Sequence, residues 1–255
     1  MLRHFHRLGV RYMTLTWSNT NELGDSSGDL EKPGIAHHGG LTAFGRNAVA
    51  EMNRLGMLVD VSHVADKTFF DALEVAKAPV MASHSSCRAL TNHPRNMTDE
   101  MLKAVARNGG VVMVNFFAGF VDESYRKQFE ALRPEMDKAI EAVNQKYKDD
   151  VAARTKAWFE AGREIAGRVP RPPLSALIDH IEHVARVAGV DHAGIGSDFD
   201  GIPSMPQGMD SAADLPKIGV ELRKRGFSQE DVAKVFSGNI LRVMRAAEKA
   251  AQPIR

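Results

Sequence analysis

The sequence predicts an α/β fold of parallel strand–helix units, and three observations predict it. The apolar runs Met57-Leu-Val-Asp-Val-Ser-His63 and Val80-Met-Ala-Ser-His84 flank a helical pattern over 66–77. Val111-Val-Met-Val-Asn-Phe116 is apolar almost throughout, as in a strand covered on both faces. Strand and helix signals then alternate along most of the chain, the pattern of a parallel sheet with crossover helices. At 255 residues the chain has room for one large α/β barrel or two smaller domains.

The elements follow in order. Residues 11–16, Arg-Tyr-Met-Thr-Leu-Thr, are β-branched and apolar and read as a strand. Residues 19–40 are rich in Asn, Gly, Ser and Asp and read as a long loop. Thr42 opens a helix in which Phe44, Val49, Met52 and Leu55 recur at helical spacing, and Gly56 stops it. The strand ending at His63 comes next. The helix after it carries Phe69, Phe70, Leu73 and Ala76, and Pro79 precedes the strand ending at His84. Thr98-Asp-Glu-Met opens another helix, closed by Asn108-Gly-Gly110 ahead of the strand 111–116.

From 122 to 167 the rhythm breaks. There is no strand signal and a single proline, Pro134. Phe129, Leu132, Met136, Ile140, Val143, Tyr147 and Val151 recur in steps of three and four, which predicts a long amphipathic helical excursion. A packing appendage is its plainest reading; a lid or an oligomer contact are the alternatives. Arg168-Val-Pro-Arg-Pro-Pro173 is a stiff linker back. A helix over 174–188, the strand His192-Ala-Gly-Ile-Gly-Ser-Asp198 and two helices over 211–225 and 228–250 complete the chain. The expected organisation is one domain over 1–255 with a helical insertion at 122–172. Five strands are visible and an eight-stranded barrel needs three more. Either the sheet is smaller and open, or an amino-terminal portion of a barrel is absent.

Composition narrows the function. A formal net charge of +1 gives no reason to expect nucleic acid as a partner. One cysteine, Cys87, excludes an internal disulfide framework. No run of 18 apolar residues exists, so no membrane segment is expected, and the start Met-Leu-Arg-His-Phe-His-Arg is too polar for a signal peptide.

His63 and His84 end neighbouring strands at equivalent positions. Neutral imidazole binds zinc well, so the two point to one coordination sphere. Asp198 ends a third strand, in Gly196-Ser-Asp-Phe-Asp-Gly201, and a carboxylate there can take the proton of a metal-activated water. Asp200, two residues on and on the same side of an extended segment, is ambiguous; turn chemistry is the bland reading of both. Arg95, in Asn92-His-Pro-Arg-Asn96, can hold a substrate carboxylate, or can make a surface salt bridge. His37 and His38 read as solvated. His180 and His183, three apart on a helix, read as an exposed face. Cys87 has no evident base partner, which argues against a nucleophile.

At these residues the chain resembles the membrane dipeptidase (renal dipeptidase) family of zinc peptidases, peptidase family M19. The matching stretches are Gly9-Val-Arg-Tyr-Met-Thr-Leu-Thr16, Leu41-Thr-Ala-Phe-Gly45, Asn53 to His63, Ala78-Pro-Val-Met-Ala-Ser-His-Ser-Ser86, Pro94-Arg-Asn96, Val112-Met-Val-Asn-Phe116, Gly196 to Gly201 and Gly238-Asn-Ile-Leu-Arg-Val243. They run in family order over nearly the whole chain. The resemblance implies a (β/α)8 TIM-barrel metal-dependent hydrolase, of which this chain holds about the last five strands. It implies a two-zinc site cleaving dipeptides, with His63 and His84 as ligands of one zinc. It implies Arg95 as the clamp for the terminal carboxylate and Asp198 as the acid beside the metals. A single arginine clamp and a pocket of strand ends suit a dipeptide better than a long peptide.

Three departures accompany the resemblance. The family's His-x-Asp pair and bridging glutamate belong upstream of Leu2. Trp17 stands where animal members have a substrate-contacting histidine, and a tyrosine those members carry near Phe117 is replaced. The expectation is therefore dipeptide hydrolysis that is weak or absent in this chain. The alternatives are a metal-dependent amidohydrolase on N-acyl amino acids or cyclic amides, and a non-catalytic scaffold. A homodimer is left open. A cytoplasmic location is favoured, with export not excluded, since any upstream portion would carry the signal.

Overall fold

The computed structural model describes residues 1–252. Five strands, β1 (Tyr12–Thr14), β2 (Leu58–Asp60), β3 (Met81–Ala82), β4 (Val111–Asn115) and β5 (Ala193–Ser197), form one sheet in the order β1-β2-β3-β4-β5. Every pairing is parallel. Strands that add one after another in chain order describe the arc of a (β/α)8 barrel, unlike a doubly wound sheet, whose order reverses at a switch point.

The helices that cover this arc start and stop on local chemistry. A short helix, α1 (Leu2–Arg7), precedes β1. In α2 (Ala43–Leu55) the Thr42 hydroxyl accepts the Gly45 N–H, and Gly56 ends the helix at φ 74°. Between β2 and β3 lies α3 (Asp66–Val75), which buries Phe69. In α4 (Asp99–Asn108) Thr98 caps Met101 and Gly109 ends the helix at φ 79°. Val49, Met52, Phe69, Leu102 and Phe116 pack into one continuous core beneath the sheet.

Beyond β4 come α5 (Ala118–Val121), α6 (Glu123–Ala131), α7 (Arg133–Lys146) and α8 (Val151–Ala166). The expected helical excursion is thus made of successive short and medium helices. Tyr125 anchors α6, stacked with Phe129 and edge-on to Phe117. No side chain of α7 is buried, and α8 buries only Ile165 and Ala166 at its far end. These two helices rest on each other, with Trp158 Nε1 donating to Asn144 Oδ1 at 3.1 Å. The apolar steps from Leu132 to Val151 therefore serve a hairpin and not the barrel core.

The chain returns through α9 (Leu174–Ala188) to β5 and then α10 (Pro216–Lys224), α11 (Gln229–Ala233) and α12 (Asn239–Ala250). The helix expected over 228–250 contains a π turn at Lys234–Gly238. Just beyond it, Asn239 Nδ2 donates to the carbonyls of Val190 and Ala193, tying the helix to the start of β5. Among the described residues no helix is long and apolar enough to cross a membrane.

His180 and His183 do not form an exposed face; they are 0% and 5% exposed on α9. The Cys87 N–H donates to His180 Nδ1 at 2.9 Å, and His183 pairs with Asp99 at 2.6 Å. Burial, helped by nearby His183 and opposed by the Val121 backbone, pushes the His180 pKa down to about 4. The unfolded chain takes up this proton near pH 6.5 and the folded chain only near 4, so folding loses stability as pH falls through that window. We expect the unfolding free energy to drop between pH 7 and pH 4.5 by on the order of 2 kcal/mol from this group. Urea unfolding of the wild type and His180→Gln at both pH values checks it. An equal drop in the two proteins would remove His180 as the cause.

Candidate active site at the strand ends

The carboxyl ends of β1, β2, β3 and β5 surround a pocket of about 430 Å³ whose wall includes Thr14, Trp17, Asn21, His63, His84 and Asp198. The histidines do not lie on the strands. β2 stops at Asp60 and β3 at Ala82, three and two residues short of His63 and His84. The Asp60 carboxylate explains this: its Oδ1 accepts the backbone N–H groups of Ser62 and Ser83, drawing both segments out of the ladder.

His63 has φ 71°, a left-handed conformation that costs a non-glycine residue on the order of 1 kcal/mol or more. Its carbonyl is held there by the Ser27 N–H (2.8 Å) and the Ser27 hydroxyl (2.9 Å), both from the 19–40 loop. The resulting geometry brings His63 Nε2 within 2.8 Å of His84 Nε2. Burial first, then the Arg95 charge and His84, lowers the His63 pKa to about 2. Burial and Arg95 lower that of His84 as well, against the pull of Asp60 and Asp198. Both rings are neutral at pH 7, the state in which imidazole binds a metal.

Ser197 and Asp198 also have positive φ, 46° and 81°. The segment is therefore not extended, and Asp198 and Asp200 do not share a side. Asp198 turns into the pocket and accepts from Asn115 Nδ2 at 2.9 Å, whereas Asp200 is exposed. All three non-glycine residues with positive φ among the described residues lie at this one place.

Arg95 is 8% exposed, so a surface salt bridge is ruled out. Its Nη2 donates to the His84 carbonyl at 3.1 Å, and its guanidinium lies 5.6 Å from the centre of the Phe120 ring. Burial lowers its pKa to about 10, while Asp60 and Asp198 act through space to support the charge. Trp17 is 71% exposed at the mouth, its ring 6.3 Å from that of His63. Cys87 is buried, and burial pushes its thiol pKa up, away from nucleophilic use.

Asp60, Ser83 and Asn115 join the site although no motif or spacing singles them out. Asp60 and Asn115 are wholly buried polar residues at the ends of apolar strands. A single carboxylate or amide inside such a run was the available signal, because it stays buried only when partnered.

A donor set of this kind at the strand ends of a partial (β/α)8 barrel is the layout of a metallohydrolase. The sequence profile described as membrane dipeptidase (peptidase family M19) matches residues 1–255, and the chain belongs to that family. The dipeptidase tcpJ of Claviceps purpurea is 38% identical over 251 residues, 98% of this chain and 48% of that protein. The crystal structure of the probable dipeptidase PvdM from Pseudomonas aeruginosa has a TM-score of 0.81 at 28% identity, covering 98% of this chain and 66% of that one. A metallopeptidase from Rhodobacter sphaeroides, solved with a phosphinate mimic of the dipeptide L-Ala-D-Ala, has a TM-score of 0.73 at 28% identity, covering 96% and 58%. The chain spans about half the length of the curated relatives it matches.

Proposed function

We propose that this chain supplies part of a zinc dipeptidase site, with His63 and His84 holding one zinc, Arg95 binding the substrate's terminal carboxylate and Asp198 moving the proton. The observation that carries the reading is the convergence of the two imidazole Nε2 atoms, 2.8 Å apart, in a pocket shared with Asp198. The donors fit a zinc ion in type, being neutral nitrogens with a carboxylate near. They fit it only in part by number. Among the described residues no group of three or more His, Cys, Asp or Glu side chains is placed to hold a metal ion.

A bound zinc supplies Lewis acidity, polarising the amide carbonyl and acidifying a water molecule. Asn115 fixes one oxygen of Asp198, leaving the carboxylate to accept the proton of the attacking water and return it to the leaving amine. Arg95 is a buried cation held by a carbonyl and an aromatic ring, and its planar fork suits a carboxylate. Trp17 forms an apolar wall at the mouth for a substrate side chain.

With two nitrogens as the donor set, we expect at most one weakly held zinc and slow turnover of dipeptides such as L-Ala-L-Ala and L-Ala-D-Ala. Elemental analysis after dialysis, and a substrate panel including N-acetyl-alanine and a cyclic amide, test this on the 255-residue chain. Two tightly held zinc ions with robust turnover would overturn the expected weakness. Preference for the N-acyl or cyclic substrates would favour an amidohydrolase. In the same assays Arg95→Met should raise KM for dipeptides at least about tenfold, the loss of one charge-assisted contact. An unchanged KM would remove Arg95 from substrate binding.

A further inference from the structure

We propose that Asp60 and Ser83 form a relay that fixes the His84 proton on Nδ1 and thereby aims its Nε2 lone pair into the pocket. Both are then positioning residues; only the final step of the argument, towards zinc, rests on the function proposed above.

The relay follows from counting donors and acceptors. Asp60 is fully buried. An ionised carboxylate is acceptor-only, with about four lone-pair sites. Oδ1 accepts the N–H groups of Ser62 (3.0 Å) and Ser83 (2.9 Å). Oδ2 accepts the hydroxyls of Thr14 (2.6 Å) and Ser83 (2.6 Å). The four sites are filled, and the one hydroxyl proton of Ser83 is committed to Asp60. Ser83 Oγ also lies 2.6 Å from His84 Nδ1. Having no second proton, it can only accept there, so Nδ1 carries the hydrogen and Nε2 is bare. The His84 backbone is fixed too, its N–H donating to Ser62 Oγ at 2.9 Å.

Carboxylates that orient a ligating histidine are a common device. Here a serine hydroxyl is inserted between the carboxylate and the ring. The same logic makes the two histidines unequal. With His84 Nε2 bare, the 2.8 Å contact requires His63 Nε2 to donate. His63 Nδ1 is then unprotonated, and it is buried with no hydrogen-bond partner among the described residues. His84 is preset to bind a metal, and His63 must shift its proton from Nε2 to Nδ1 before it can.

Long-range 1H–15N spectra of the metal-free chain with 15N-labelled histidine test the relay without any appeal to turnover. His84 signals are assigned with His84→Gln. We expect His84 Nδ1 at the protonated shift and Nε2 at the unprotonated shift in the wild type. Ser83→Ala should move His84 towards the other tautomer, and Ser83→Thr, which keeps the hydroxyl, should restore it. A wild-type His84 protonated on Nε2, or no change in Ser83→Ala, overturns the relay. The wild-type spectrum decides even if a variant fails to fold. Zinc titration should show Ser83→Ala binding about 10–100-fold more weakly than wild type or Ser83→Thr. Equal affinity would overturn the positioning role. A wild type that binds no zinc would overturn the metal reading, while the spectra still judge the relay.

Discussion

Replacing Gly196 with alanine should destabilise the chain by about 3 kcal/mol, the upper end of what overpacking a core costs. Gly196 is the extra residue of a bulge in β5, where Val114 pairs with Ile195 but Asn115 pairs with Ser197. A Cβ at this point would lie 2.6 Å from the carbonyl oxygens of both Met113 and Ser83 and 3.0 Å from His84 Cα. These are backbone atoms of mid-β4 and of the segment leaving β3, and they cannot swing aside as the tip of a side chain can. Relief requires the β3 end to move, and His84 moves with it. Gly194, two residues earlier, faces the flexible Met113 Cγ at 3.0 Å and should tolerate alanine better. Urea unfolding of both variants checks the pair. A Gly196→Ala protein as stable as Gly194→Ala would show that the bulge has slack the distances do not suggest.

The second large effect is on metal affinity. His63→Ala and His84→Ala should each weaken zinc binding by more than the 10–100-fold typical of losing a supporting residue, since each removes half of the nitrogen donors. Stability should respond differently. His84→Ala leaves Asp60 with all four of its hydrogen bonds and takes only the acceptor from His63 Nε2, so metal-free stability should fall by about 1 kcal/mol. Calorimetric zinc titration set beside metal-free urea unfolding measures the two quantities separately. Loss of stability without loss of zinc affinity would recast the pair as structural.

Much of the fold is legible because its signals are local. Thr42 with Gly56, and Thr98 with Gly109, mark helix limits by chemistry that needs no distant partner. The strand ends are less legible, because Asp60 halts β2 with a bond to Ser83, 23 residues away. His63 and His84 could be singled out, since each closes an apolar run. Their mutual orientation depends on Thr14, Ser27 and Ser83, none of which carries a pattern of its own. The helix α9 misleads for a related reason. His180 and His183 break its apolar stripe, yet Cys87 and Asp99 come from another unit of the chain to cover them. Asp198 was readable as a strand-end acid, but its backbone at φ 81° was not, because nothing in Ser-Asp-Phe-Asp demands a left-handed residue.

The hairpin of α7 and α8 divides the molecule energetically. With no side chain of α7 buried and only Ile165 and Ala166 buried in α8, melting the pair would expose almost none of the core, the Glu135–Arg168 ion pair being one tie it would break. Its opening free energy is therefore set by helix–coil balance and one face of mutual contact, while the strands open only with the whole domain. The cooperative unit passes from α6 to α9 around the hairpin. Insertions, deletions or a proteolytic nick between about 133 and 164 would be absorbed locally and leave the strand-end pocket in place.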